Sequence, residues 1–160
     1  MFKTSHQWLK RFGIVMMITL LQAGCNGSKD PETLFNQGAY ADAFKLWLPR
    51  ARDGDLAALY YLGIQYYAGL GVKRDLIKAE QWFRKAAEKA YPDAQYNLGL
   101  MYENGQVVPQ NFTIAYMWFH AAHTQGNKNA SRHMIRLTRE HKILPNQMKH
   151  AEELARQYVP

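Results

Sequence analysis

The chain has 160 residues, 48% of them hydrophobic and 13% aromatic, enough for one modest core and too few for two domains. Its formal net charge of +7 is unevenly placed: Lys3, Lys10 and Arg11 lie in the first 24 residues, which hold no acid, so the remainder carries +4 from 17 basic and 13 acidic residues. An excess that small is that of a solvated surface and argues against nucleic acid as a partner, while a single cysteine excludes an internal disulfide.

Lys3, Lys10 and Arg11 form a positive start, no charged residue occurs from Phe12 to Ser28, and GIVMMITLL supplies an apolar stretch between them. This pattern predicts a secretory signal peptide over residues 1–24. A membrane-spanning helix needs about 20 consecutive apolar residues, and Gln22, Gly24, Asn26 and Gly27 end the run too early. Cys25 closes it, with no second cysteine or nearby histidine at metal-site spacing. Leu21, Ala23, Gly24 and Cys25 resemble a bacterial lipobox, although Gln22 stands where that pattern has an apolar or small residue. The resemblance implies a diacylglyceryl thioether on Cys25, a lipid-anchored linker over 25–30 and attachment to a membrane. Asn26, in place of an aspartate, favours the outer membrane for such a lipoprotein, facing the periplasm. Ordinary signal-peptidase cleavage nearby is the alternative, and it leaves a soluble periplasmic or secreted protein.

After the linker, Asp30 and Pro31 can open a short helix, as cap and first helical residue. Tyr40, Ala43, Trp47 and Ala51, bracketed by Gly38 and Gly54, keep helical spacing and predict a second. The most informative stretch follows. Residues 55–90 set above residues 91–126 agree at eleven positions, where ordinary residue usage gives about two. Among them are Ala58/Ala94, Leu62/Leu98, Gly63/Gly99, Gly69/Gly105, Ala79/Ala115, Trp82/Trp118 and Phe83/Phe119. The chain repeats with a period of 36.

Each copy is written as a helical hairpin. Ala58, Leu62 and Tyr66 fall on one helix face, as do Ala79, Phe83 and Ala86 on the next. Gly69 and Gly105 can take the left-handed conformation that ends the first helix, and Asp75 and Asn111 can cap the second. Gly63 and Gly99 sit mid-helix, where glycine costs about 1 kcal/mol against alanine. A repeated cost predicts a repeated need, close approach of the helix carrying Trp82 or Trp118.

The pattern of Ala58, Leu62, Gly63, Tyr66, Gly69, Gly71, Val72, Asp75, Lys78, Ala79, Trp82, Phe83, Ala86 and Ala87 is similar to the Sel1-like repeat family, relatives of the tetratricopeptide repeats. The second copy departs from it at Val107, Asn111 and His123. The resemblance implies an all-α fold, an α-solenoid of stacked antiparallel helix pairs over residues 31–160. The helix around Trp47 becomes the second half of an upstream partial repeat. Downstream, Ala130 and Met134 keep the register while Ile135 and Thr138 replace the glycine and tyrosine, as in a degenerate terminal repeat. A capping helix over about 145–158 would then turn Met148, Ala151, Leu154 and Ala155 inward.

The family resemblance implies an adaptor or scaffold that binds protein partners through its helical-repeat surface, with no cofactor and no enzymatic role. Identical positions serve the fold, so positions that differ on the first helix of each pair are the binding candidates: Tyr61, Gln65, Asn97 and Met101. Lys128, Arg132, Arg136 and Arg139 follow three- and four-residue spacing and suit an anionic partner or, as an ordinary cap, a solvated face. His120 and His123 are spaced for a metal, but no acid lies between them and HEXXH is absent. His123 replaces an alanine of the first copy and is expected to be partly buried. The lack of a GxSxG context argues against serine catalysis, and Glu152 and Glu153 diverge on a helix. Two alternatives stay open. One is a cell-wall-binding protein or envelope enzyme acting on peptidoglycan or β-lactams, although the β-lactam-related members of the family carry repeat cysteines that this chain lacks. The other is an accessory subunit of an envelope complex such as a secretion system or flagellar motor.

Overall fold

In the computed structural model, which describes residues 30–159, every regular element among the described residues is helical. In chain order these are α1 (Pro31–Asn36), α2 (Tyr40–Arg52), α3 (Leu56–Ala68), α4 (Leu76–Ala87), α5 (Pro92–Asn104), α6 (Phe112–Thr124), α7 (Ala130–Arg139) and α8 (Pro145–Ala155). A 3₁₀ turn, Arg156–Tyr158, closes the series. Neighbours pack in sequence as antiparallel pairs, α3 on α4 and α5 on α6, each pair resting on the one before. This is an α-solenoid.

The boundaries are set by side chains legible in the sequence. Asp55, Asp75 and Asn111 accept hydrogen bonds at 3.0 Å from the backbone N–H of Ala58, Lys78 and Ile114, satisfying donors that the first helical turn leaves unpaired. Pro92 and Pro145 occupy first-turn positions, where a missing N–H costs nothing. Gly69 and Gly105 end α3 and α5 at φ +72° and +66°. The turn then folds back in the same way twice, Asp75 N–H to Tyr66 O at 2.9 Å and Asn111 N–H to Tyr102 O at 3.0 Å. Within it Gly71 takes φ +72°, and Val107 takes φ +69° at the matching place. A Cβ on Gly71 would stand 2.5 Å from the backbone nitrogen of Ala41, so the first turn is pressed against the start of α2 and glycine is required.

Ala58, Leu62, Ala79, Phe83 and Ala86 are buried, as are their counterparts Ala94, Leu98, Ala115, Phe119 and Ala122. Gly63 and Gly99 meet the helices that carry Trp82 and Trp118, as expected, and the rings seated on them are those of the adjacent Phe83 and Phe119. The two tryptophans differ: Trp82 is partly exposed with Lys85 Nζ 4.4 Å above its ring, whereas Trp118 is buried with Tyr158 at 4.6 Å. The reason is α8, which lies along α6 and covers Trp118. It does so with Ala151 and Ala155 buried and Met148 and Leu154 packed at the margin.

Candidate functional site

The four binding candidates separate into two kinds. Gln65 and Met101 are buried, so neither is a surface residue. Gln65 Nε2 donates to the carbonyl of Tyr40 at 2.7 Å, and Met101 fills core space. The physical reason is that a first helix has two covered faces, one against its own partner and one against the preceding pair, and residues on the second face change with the neighbour they meet. Tyr61 is half-buried, its ring stacked on Trp47 at 4.9 Å and its hydroxyl donating to Glu32 at 3.1 Å. Burial, and then the Glu32 carboxylate, push the phenol up to about 12. Asn97 is half-buried beside Tyr60.

The cationic row is also divided. Lys128 lies in the turn before α7, Arg132 and Arg139 are exposed on the helix, and Arg136 is committed elsewhere. Its Nη2 lies 2.6 Å from Oε1 of Glu103, a carboxylate only 5% exposed. His133 Nδ1 donates to the other oxygen of Glu103 at 2.8 Å, Tyr96 OH reaches His133 Nε2 at 3.2 Å, and the imidazole rests on Phe119 at 4.8 Å. This polar interlock pins α7 to α5. Its Tyr–His–carboxylate order invites a catalytic reading, but burial and the Glu103 charge raise the Tyr96 pKa and hold the phenol protonated. A neutral phenol beside an arginine-paired carboxylate is a structural joint.

Between α6 and α7 runs a groove of about 490 Å3, lined by Tyr116, His123, Ser131, Met134, Ile135, Thr138 and Arg139. Ile135 is 56% exposed on its wall. Tyr116 anchors the far side, its hydroxyl donating to Glu152 of α8 at 3.2 Å, and burial with that carboxylate pushes its pKa up to about 12. Sequence reasoning did not find this groove. The available signal was Ile135 in the place of the repeated glycine.

The two spaced histidines also part company. His123 is exposed at the groove, against the expectation of partial burial, whereas its alanine counterpart Ala87 is buried. His120 is half-buried, its Nδ1 enclosed without a hydrogen-bond partner and its ring stacked near Tyr116 at 6.4 Å. Burial lowers its pKa, against the pull of Glu152. No group of three metal-ligating side chains occurs among the described residues. Cys25 lies outside them, and no helix among them is long and apolar enough to cross a membrane.

The Sel1 repeat model matches residues 56–91 and 92–127. Two stretches of the chain are thus similar to the Sel1 repeat. They coincide with the α3–α4 and α5–α6 pairs. A Sel1 repeat protein from Oxalobacter formigenes is similar at 34% identity and a TM-score of 0.65, over 69% of this chain and 45% of that one. A protective antigen present in uropathogenic Escherichia coli strains, displaying an SLR fold, is similar at 30% identity and a TM-score of 0.69, over 81% of this chain and 30% of that one. The component HRD3A of an ERAD-associated E3 ubiquitin-protein ligase in Arabidopsis thaliana is 38% identical over 58 residues, 36% of this chain. The chain spans less than half the length of these two solved structures and matches 9% of the plant protein. Sel1 repeats generally act as protein–protein interaction scaffolds and are typically non-catalytic.

Proposed function

We propose that this chain is an adaptor of the bacterial cell envelope that binds protein partners through its Sel1-repeat surface. The observation that carries the reading is the pairing of a repeat fold, held by glycine–phenylalanine contacts, with an exposed apolar groove that the fold does not use. The one relay-like array of polar side chains described above is locked into the α5–α7 joint, so binding is the function the surface supports. Cys25 is the proposed point of lipid attachment, behind the signal-like segment 1–24, and Asn26 after it favours the outer membrane with the repeats in the periplasm.

Crosslinking in intact bacterial cells followed by purification of the full chain from detergent-solubilised envelopes tests the adaptor reading. A specific protein recovered with the chain is the expected result; a chain that stays alone at native level, with and without crosslinker, overturns it. Intact mass of the mature protein tests the anchor, because an acylated N-terminal cysteine is expected and Cys25→Ser should release the protein or leave it unprocessed. An unmodified N terminus downstream of Cys25 would refute the tether without touching the adaptor.

A further inference from the structure

In both repeats the first helix has a face that its own second helix covers, where Phe83 meets Gly63 and Phe119 meets Gly99. Stepping forward by one repeat of 36 carries that face onto α7, where Met134 takes the place of Leu62 and Leu98, Ile135 that of the glycines and Thr138 that of Tyr66 and Tyr102. These residues line the α6–α7 groove. The helix that should cover them is next in the chain, and it goes elsewhere.

Three features hold α8 away. The turn at 140–144 is two residues shorter than the turns 69–75 and 105–111. The eighth residue of α8, the place that Phe83 and Phe119 hold in α4 and α6, is Glu152, which has no ring to offer α7 and accepts instead from the Tyr116 hydroxyl at 3.2 Å. The chain beyond it is gripped by the buried Gln95, whose Nε2 donates to the carbonyl of Tyr158 at 2.9 Å, with Tyr158 packed on Trp118. The covered face of a hairpin is thereby left open, shaped for a helix and empty of the chain's own.

The charges at this face fix the chemistry of what fits. Arg139 and His123 line the groove and Arg132 lies one turn from Ile135; of the carboxylates beside it, Glu152 accepts from the Tyr116 hydroxyl at 3.2 Å and Glu140, at the end of α7, is engaged by Lys142 at 2.8 Å. Ile135 also fills the space that a phenylalanine ring takes in the repeats, so the occupant must present small residues there. We propose that the α6–α7 groove is the docking site for an amphipathic α-helix of a partner protein, with a small-residue stripe against Ile135 and an acidic edge against Arg139 and Arg132. The inference rests on the adaptor reading and narrows it to one surface and one kind of partner segment.

The test uses the purified full chain and synthetic helical peptides of about five turns, followed by fluorescence anisotropy. The peptides share an apolar stripe that faces Ile135 with either Ala or Phe, and carry a Glu, Gln or Lys edge. Expected is binding of the Ala-stripe, Glu-edge peptide, weakened by salt, with the Lys-edge peptide failing to bind. Arg139→Glu combined with Arg132→Glu should weaken it about tenfold and shift preference to the Lys edge. Ile135→Gly should invert the stripe preference and admit the Phe peptide, a gain that misfolding cannot imitate. Equal binding of all peptides, an unchanged stripe preference in Ile135→Gly, or binding confined to anionic lipid vesicles overturns the proposal. A photocrosslinker at Ser131, with a second at exposed Gln81 as reference, separates the two readings in cells. A specific partner captured from Gln81 but never from Ser131 leaves the adaptor standing and removes the groove, whereas capture from neither removes both.

Discussion

Phe119 occupies the space that a side chain on Gly99 would need: a Cβ built there stands 2.5 Å from the ring. Phe119 is itself fully buried, so the ring has no free volume into which to retreat. Gly99→Ala gains about 1 kcal/mol of helix propensity and incurs an overpacking cost of about 1–3 kcal/mol. The expected outcome is net destabilisation in urea unfolding, partly reversed by adding Phe119→Leu. An alanine variant more stable than the parent would show that the ring is not seated on the glycine.

Val107 and Gly71 share a left-handed backbone, and the same exchange of residues should act with opposite sign at the two sites. Val107 is 46% exposed at φ +69°, so Val107→Gly removes left-handed strain of about 1–2 kcal/mol with little loss of burial. A small rise in melting temperature is expected. Gly71→Val adds that strain and drives a side chain into the backbone of Ala41, so it should lower the melting temperature clearly. Equal effects at both sites would refute the account.

Much of this fold was legible because identical residues at a 36-residue step face identical neighbours. Gly69, Gly105, Asp75 and Asn111 act locally, and local rules placed them correctly at the helix ends. The choice of Gln65 and Met101 as surface residues failed for a related reason: a difference between copies marks a different neighbour as readily as it marks solvent. Gln65 differs because the start of α2 lies against it. The departure of Arg136 from the cationic row was hidden because its partner Glu103 lies 33 residues earlier, and only the packing of α7 on the second pair brings them together. The groove escaped notice because an open face is produced by where α8 goes, and Ile135, its one trace in α7, reads equally as the degeneracy of a terminal repeat.

The interlock around Glu103 should control α7 more than the solenoid as a whole. Glu103→Gln keeps the shape but removes the charge that holds His133 and Arg136. Hydrogen bonds to a charged group contribute about 1.5–3 kcal/mol, and Arg136 is half-exposed, which places the expected loss toward the lower end. Hydrogen exchange should speed up through Ala130–Arg139 while α3 and α4 keep their protection. Uniform acceleration along the chain would contradict a local joint.

His120 predicts a dependence on acid. Burial lowers its pKa below the ordinary value of 6.5, with His123 and Arg156 adding to the effect and Glu152 opposing it. The folded state therefore binds the proton less readily than the unfolded state. Its contribution is fully present above pH 6.5 and is lost as pH falls from there through the lowered folded value. In denaturant titrations across that window, His120→Gln should flatten the slope of stability against pH. A variant with the parent's slope would assign the acid sensitivity to other groups.

Gln95 ties the chain that follows α8 to α5 through the carbonyl of Tyr158. Gln95 is fully buried, its Nε2 donating to the carbonyls of Ala87 at 3.1 Å and Tyr158 at 2.9 Å, and its Oε1 accepting from Gln125 Nε2 at 2.7 Å. The first repeat has Leu59 at this place, so Gln95→Leu is compatible with the local helix and the core. Gln125 Nε2 keeps the Ala121 carbonyl at 3.1 Å, but the Tyr158 carbonyl is left with only Gln125 Nε2 at 3.5 Å, a loss of about 1–3 kcal/mol if that carbonyl goes unpaired. The tail should loosen before the repeats do. Faster hydrogen exchange over 145–158 and a red shift of tryptophan emission are expected as Tyr158 leaves Trp118, with little change in the exchange of α3 and α4. Retained protection of the tail would mean that α8 is held by its alanine contacts with α6 alone, and that Gln95 merely satisfies its own burial.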